Sequence, residues 1–282
     1  MPSPVNLIAA RRVDRAAADH AQQRVDGPLA RWLGRLWPAS CQACGEAGQP
    51  GLDLCPACDA CLPRNRHACR CCALPLPLPA TAPANAGKVE GLASTATPVI
   101  CGACLLHPPP LHTVVAPYLY AAPLDRLLPR FKFHQDLGCG RLLAQLMARE
   151  LACAPTLIAA MPQIVVPIPL HRARLRARGY DQALELARPL ARALGVPLAS
   201  NLLVRERATR QQSRLDADQR KRNLRNAFRV VPTASLPVDG VPAHVVLVDD
   251  VMTTGATVHA AAMALQRAGV ARVDAWVCAR VP

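Results

Sequence analysis

Hydrophobic and polar positions organise the C-terminal half of the chain into alternating strands and helices. The clearest stretch is Val245–Val258, VVLVDDVMTTGATV. An apolar, β-branched run predicts a short buried strand, and apolar positions at helical spacing from the following turn to about Ala268 predict a helix. Gly269 sits where a helix-ending glycine belongs. Upstream, Ile164–Pro169 predicts another short strand, followed by a basic loop over His171–Gly179 and a helix from about Tyr180 to Leu194. Thr113–Tyr120, Ala199–Val204, Asn226–Val231 and Arg272–Val281 read as further strands, and Ala122–Leu128 and Leu137–Leu151 as helices. Arg205–Arg222 has no apolar periodicity and reads as a mobile loop. Strands alternating with helices predict a parallel sheet covered by helices.

The N-terminal part reads differently. Residues 1 to about 28 carry no strong pattern, and Leu29–Leu36 reads as a short helix ended by Trp37-Pro38. Four C-x-x-C knuckles follow at Cys41/Cys44, Cys55/Cys58, Cys69/Cys72 and Cys101/Cys104. Each places two thiolates on one edge of a tetrahedron, and two knuckles complete a Cys₄ zinc site. About two structural zinc ions are expected, with Cys61 and Cys71 left as spare thiols. The Pro- and Ala-rich spacer, about 75–99, reads as a disordered insert whose length a zinc-clamped loop tolerates. The expected organisation is an extension over 1–38, a double zinc ribbon over 39–110 and an α/β domain over 111–282.

Composition sharpens this picture. No signal-peptide pattern follows Arg11-Arg12, and the longest apolar run, Leu151–Leu170, contains four prolines and makes a poor membrane span. Thirteen cysteines in such a chain suit metal binding in a reducing cytoplasm more than disulfides. The formal charge is +14. Fifteen Arg or Lys against five acids fall between Leu170 and Val230, so most of the excess flanks one region and points to phosphate-bearing partners.

That region surrounds the strand–turn–helix at 245–258. A loop feeding a helix N-terminus gathers unpaired backbone N–H groups into an anion site. Thr253, Thr254 and Thr257 add hydroxyls, and Asp249 and Asp250 suit ribose hydroxyls or a hydrated Mg²⁺. Lys132, between Phe131 and Phe133, is placed either to face a phosphate or to snorkel. Two acids followed by Thr-Thr-Gly-x-Thr resemble the signature by which type I phosphoribosyltransferases bind phosphoribosyl pyrophosphate (PRPP).

Together with the four knuckles, Phe131-Lys132-Phe133, Val166-Pro167…Arg174…Arg178-Gly179-Tyr180-Asp181-Gln182 and Arg207…Thr209…Gln212…Leu215…Arg220…Asn223-Leu224, the chain resembles the ComF family of competence-associated proteins. The resemblance implies a double zinc ribbon joined to a type I phosphoribosyltransferase-like, twisted and mostly parallel sheet. It implies that Val251, Met252, Thr253, Thr254, Gly255, Ala256 and Thr257 hold the 5-phosphate of PRPP. Asp249 and Asp250, as the catalytic carboxylates, would hold the ribose hydroxyls, Arg174, Arg176 and Arg178 would face Mg²⁺-pyrophosphate, and Gly179 and Lys132 would be among the PRPP-binding residues. Arg207, Thr209, Gln212, Arg220 and Asn223 would belong to a closing loop. Asp181 stands where the family usually has Asn, and Ala256 where Ser is common. The function implied is PRPP binding, with phosphoribosyl transfer to an acceptor that the sequence does not identify, in DNA uptake or utilisation. A non-catalytic PRPP or nucleotide sensor and a single-stranded DNA-binding protein of the uptake machinery stay open. Scattered aromatics count against base stacking but not against phosphate binding.

Overall fold

The structure, a computed structural model, describes residues 39–77, 99–154, 160–206, 227–231 and 241–282. The N-terminal extension, nearly all of the Pro-rich insert, and the loop bearing Arg207, Thr209, Gln212, Arg220 and Asn223 lie outside the described residues.

Two nine-residue strands form the centre, β6 (His244–Met252) and β7 (Arg272–Arg280). They pair in parallel from His244↔Arg272 to Met252↔Arg280. β3 (Ile164–Pro167) lies on the far side of β6, and β1 (Thr113–Val115) and β2 (Tyr118–Leu119) lie on the far side of β7, all parallel. Strands this apolar can be buried on both faces, as parallel strands are. The expected single strand over Thr113–Tyr120 is two, interrupted at Ala116-Pro117. Proline has no N–H to contribute to a ladder.

Side chains alternate across the sheet, and the alternation divides the core. Val246, Val248, Trp276 and Cys278 face one apolar cluster, with α3 (Leu124–Phe133), α4 (Leu137–Ala152) and α6 (Gln182–Leu194). Val245, Leu247, Val273, Ala275 and Val277 face the other, with α7 (Ala256–Arg267) and an antiparallel pair of strands, β4 (Leu203–Arg205) and β5 (Phe228–Val230). The strand expected over Ala199–Val204 thus begins later and includes Arg205. α3 runs five residues past its expected end, through Pro129 to Phe133, and so carries Lys132 on a helix.

The basic segment His171–Gly179 is largely a helix rather than a loop, α5 (Arg172–Arg178). Its Arg, Ala and Leu residues are strong helix formers even without an apolar stripe. The His171 side chain accepts from the Ala173 N–H at 3.2 Å, and Gly179 ends the helix at φ 84°. A left-handed cap of this kind favours glycine.

The cysteine-rich segment packs against α4. Arg141, Gln145 and Arg149 recur every four residues and so share one face of that helix. Arg141 pairs with Asp53, Gln145 Nε2 donates to the Gly51 carbonyl at 3.1 Å, and Arg149 reaches both oxygens of Asp59 at 2.8 and 2.7 Å. Asp59 lies on α1 (Pro56–Ala60), and Cys104 lies on the next helix, α2 (Gly102–Leu106). Asp59 is partly buried, which opposes ionisation, but Arg149 and Arg64 hold its carboxyl below the usual range.

Candidate functional site

The strand alternation that builds the core also separates the acid pair. Asp250 continues the parity of Val246 and Val248, and it is met from α3 by Lys132, whose Nζ lies 2.9 Å from Asp250 Oδ1. Lys132, read from sequence as facing a phosphate or snorkelling, is therefore held by a carboxylate. Asp249 continues the parity of Val245 and Leu247, toward Arg205. Burial and then the Asp250 carboxylate push Asp249 up to about 8, against the pull of Lys132 and of the Asp250 N–H, which donates to Asp249 Oδ1 at 2.8 Å.

The turn after β6 ends at Gly255, φ 78°, in the left-handed region. The backbone angle requires glycine there, and a Cβ would also press on the ends of the Met252 and His259 side chains, 2.5 Å from Met252 Cε and 2.9 Å from His259 Nε2. The N-cap, Gly255, has no side chain to cap α7, and the first N–H of the helix, that of Ala256, reaches Thr254 Oγ1 at 3.4 Å. The N–H groups after it and the positive end of the dipole are left to an anion or water.

These pieces line one cavity of about 490 Å³. Lys132, Arg174, Arg178, Asp249, Asp250, Val251, Thr253 and Thr257 border it, together with Arg205, Phe133, Gln135, Asp181 and Gln182. The helix over 172–178 explains which arginines arrive. Arg174 and Arg178 are one turn apart on one face, whereas Arg176 falls between them on another and is not among the lining residues. Gly179, Thr254, Gly255 and Ala256 are also outside the lining, and Met252 is buried beneath the turn.

Asp181 caps α6. Its Oδ1 accepts from Leu184 N at 3.2 Å and its Oδ2 from Leu170 N at 2.8 Å, tying the exit of β3 to the start of α6. Burial raises its pKa more than these bonds lower it, and Asp250 adds to the rise. Arg178 donates to Gln182 Oε1 at 2.6 Å, and its guanidinium lies 5.2 Å from the centre of the Phe133 ring.

Sequence reasoning misses Arg205, because the chain from that residue onward has no apolar periodicity and reads as loop. Only 8 % exposed, it stacks on Phe228 at 5.4 Å and lies near Asp249 and Arg174. The available signal was one arginine ending an apolar run, Leu202-Leu203-Val204-Arg205.

The eight cysteines form the two tetrads expected, Cys41/Cys44/Cys55/Cys58 and Cys69/Cys72/Cys101/Cys104, with the sulfurs of each within 4.8 Å of one another. Tetrahedral zinc with Zn–S near 2.3 Å requires sulfurs about 3.8 Å apart. Cys44–Cys55 and Cys72–Cys101 lie at 3.7 Å, so both donor sets fit. Burial works against the Cys41 thiolate, but the N–H groups of Cys55, Cys44 and Ala43 outweigh it and bring the thiol to about 6. The same balance brings Cys69 to about 7. Cys61 and Cys71 stay outside both tetrads.

The phosphoribosyl transferase domain family matches residues 181–282. The chain is 40% identical over 191 residues to DNA utilization protein YhgH of Escherichia coli (strain K12), covering 67% of this chain and 82% of that protein. It is 36% identical over 182 residues to Competence protein F of Haemophilus influenzae, covering 64% of this chain and 78% of that protein. The chain belongs to the ComF family. In this ComF protein the phosphoribosyl transferase match begins at the cap of α6, so β1, β2 and β3 complete the sheet from upstream of it.

Proposed function

We propose that this ComF protein binds PRPP with Mg²⁺ in the cavity at the C-terminal ends of β3 and β6, and transfers its phosphoribosyl group to an acceptor. The carrying observation is the meeting, around one cavity, of an acid pair, an uncapped helix N-terminus and Arg174, Arg178 and Arg205. The turn at 251–257 would take the 5-phosphate. The arginines would take pyrophosphate, which leaves as its bond to C1 of the ribose breaks. Asp249 and Asp250 would lie near the sugar, where positive charge grows in the transition state. They are also the residues that would hold Mg²⁺, which shields the charge of the leaving group. Zinc in the two tetrads would be structural. The names of the relatives support a place in DNA utilisation or competence, and no helix among the described residues is long and apolar enough to cross a membrane. We place the reaction in the cytoplasm.

Calorimetric titration with PRPP and Mg²⁺ tests the reading. Asp249→Asn/Asp250→Asn should weaken binding by at least about tenfold, equivalent to roughly 1.4 kcal/mol. No binding by the unaltered protein at millimolar PRPP, or equal binding by the double variant, would end it. A salt-dependent single-stranded DNA titration then tests the rival role. Binding without pyrophosphate release against a panel of nucleobases and amines would leave a sensor.

A further inference from the structure

The first cysteine knuckle reaches toward the phosphoribosyl cavity by a short chain of hydrogen bonds. Gln42 lies between Cys41 and Cys44. Its carbonyl accepts from Arg130 Nη1 at 2.6 Å and its Oε1 from Arg130 Nη2 at 2.9 Å. The other edge of the Arg130 guanidinium grips Asp136 Oδ2, from Nε at 3.1 Å and Nη2 at 2.6 Å. Asp136 in turn caps α4 by accepting from Cys139 N at 3.0 Å. One planar guanidinium therefore fastens the knuckle, the last turn of α3 and the first turn of α4, a geometry that a lysine cannot reproduce. Two residues beyond Arg130 on α3 is Lys132, 2.9 Å from Asp250. The buried ring of Phe131 between them leaves the helix end little freedom of its own, lying 5.7 Å from Tyr180 and against Gly140.

We infer that the first cysteine knuckle is a positioning element of the phosphoribosyl site, with Gln42 acting through Arg130 to fix Lys132 against Asp250. Among the described residues the second tetrad meets the site from another side and does not touch Lys132: Arg280 Nε donates to the Cys72 carbonyl at 2.9 Å and its Nη1 to the Met252 carbonyl at 3.3 Å. The inference rests on the PRPP reading of the cavity for its effect on binding. The link between Gln42 and Lys132 stands apart from that reading.

The test uses the full-length, zinc-loaded protein and two readouts. The first is Mg²⁺-PRPP affinity by calorimetry. Arg130→Met should weaken it about fivefold or more, the size of a modest coupling. Gln42→Ala should weaken it less, since the backbone carbonyl still accepts, and Gln42→Glu should restore it. The double variant should equal Arg130→Met alone, because Gln42 acts on the site through its two bonds to Arg130, its other contact being a long one of 3.9 Å from Cys139 Sγ. Zinc content should stay unchanged throughout. The second readout needs no PRPP. The chain has three lysines, Lys88, Lys132 and Lys221, so ¹³C-methylated lysine resonances can be resolved and Lys132 assigned by Lys132→Arg. The Lys132 signal should move toward that of a free lysine in Arg130→Met and in Gln42→Ala. An unmoved Lys132 signal in both variants, additive effects, or zinc loss from Arg130→Met would each overturn the inference. If the unaltered protein fails to bind PRPP while the Lys132 signal moves as expected, the PRPP reading falls and the link survives.

Discussion

At the scale of single residues, the two acids of the signature are not equivalent. Asp250 has a cation at 2.9 Å, whereas Asp249, half-buried beside a second carboxylate, is pushed up to about 8. An acid with a raised pKa keeps a proton in the folded state that the unfolded chain has lost, so stability falls as pH rises between the two values. Here that window runs from about 4, where the unfolded Asp ionises, to the folded value near 8. Asn has no such proton to lose. Asp249→Asn should therefore stabilise the ligand-free protein, with a gain small at pH 5 and largest at or above pH 8. Asp250→Asn should show a smaller growing gain, because it relieves only the like charge on Asp249 and also removes the partner of Lys132. Urea unfolding of both variants at pH 5, 6.5 and 8 measures this, and a gain for Asp249→Asn that is flat with pH would refute the assignment. The same raised value predicts that Mg²⁺-PRPP binding expels a proton from Asp249. Titration in buffers of different ionisation enthalpy should detect its release near pH 7, and Asp249→Asn should abolish it.

Among the elements, α5 changes most between sequence and structure, and it decides which arginines matter. Read as a loop, the alternating arginines of 172–178 could all face one ligand. Wound into a helix, Arg174 and Arg178 share the cavity face and Arg176 does not. Arg174→Ala and Arg178→Ala should each weaken Mg²⁺-PRPP binding by about tenfold, as the loss of a charge-assisted contact would. Arg176→Ala should change it less than twofold at physiological salt, its distant charge being screened. Equal losses for all three would favour a general electrostatic effect over directed contacts. The parallel sheet, the βα turn at 249–257 and the two cysteine tetrads were legible in sequence, because β-branched runs, a glycine-bearing turn and C-x-x-C spacing are local signals. Arg205, the Asp181 cap and the Lys132–Asp250 pair were not. The first and the last depend on elements far apart in the chain, 118 positions in the case of Lys132 and Asp250, whereas the Asp181 cap is local, its partners Leu184 and Leu170 lying three and eleven residues away. The helical state of 172–178 was hidden for another reason: it buries no residue, so no apolar stripe marks it.

Across the whole molecule, the two tetrads stand in different relations to the core. Cys41, Leu52, Leu54, Cys55 and Leu62 belong to the same apolar cluster as α3, α4, α6 and the sheet, and the Arg141, Gln145 and Arg149 face of α4 adds polar bonds to that contact. The second tetrad forms a small cluster around Cys69, Cys101 and Cys104, joined to the other face of the sheet at its edge through Cys72, Ala73 and the Arg280 bond to the Cys72 carbonyl. Thiolate–zinc binding is worth on the order of 10 kcal/mol in isolated zinc modules, and what its loss disturbs depends on what the module packs against. Removing zinc from the first site should loosen segment 41–62 and with it one side of the main core. Removing it from the second should loosen mainly a satellite cluster. Cys44→Ser and Cys104→Ser each delete one ligand, and Cys44 is exposed, so its own packing loss is minor. Both variants should carry about one zinc per chain in place of two. Cys44→Ser should lower the main thermal transition by about 10 °C or more, whereas Cys104→Ser should shift it by only about 2–4 °C. Hydrogen exchange should show α4 losing protection in the first variant and keeping it in the second. Equal shifts, or a larger one from Cys104→Ser, would mean that the continuity of apolar packing does not set how far a lost zinc is felt.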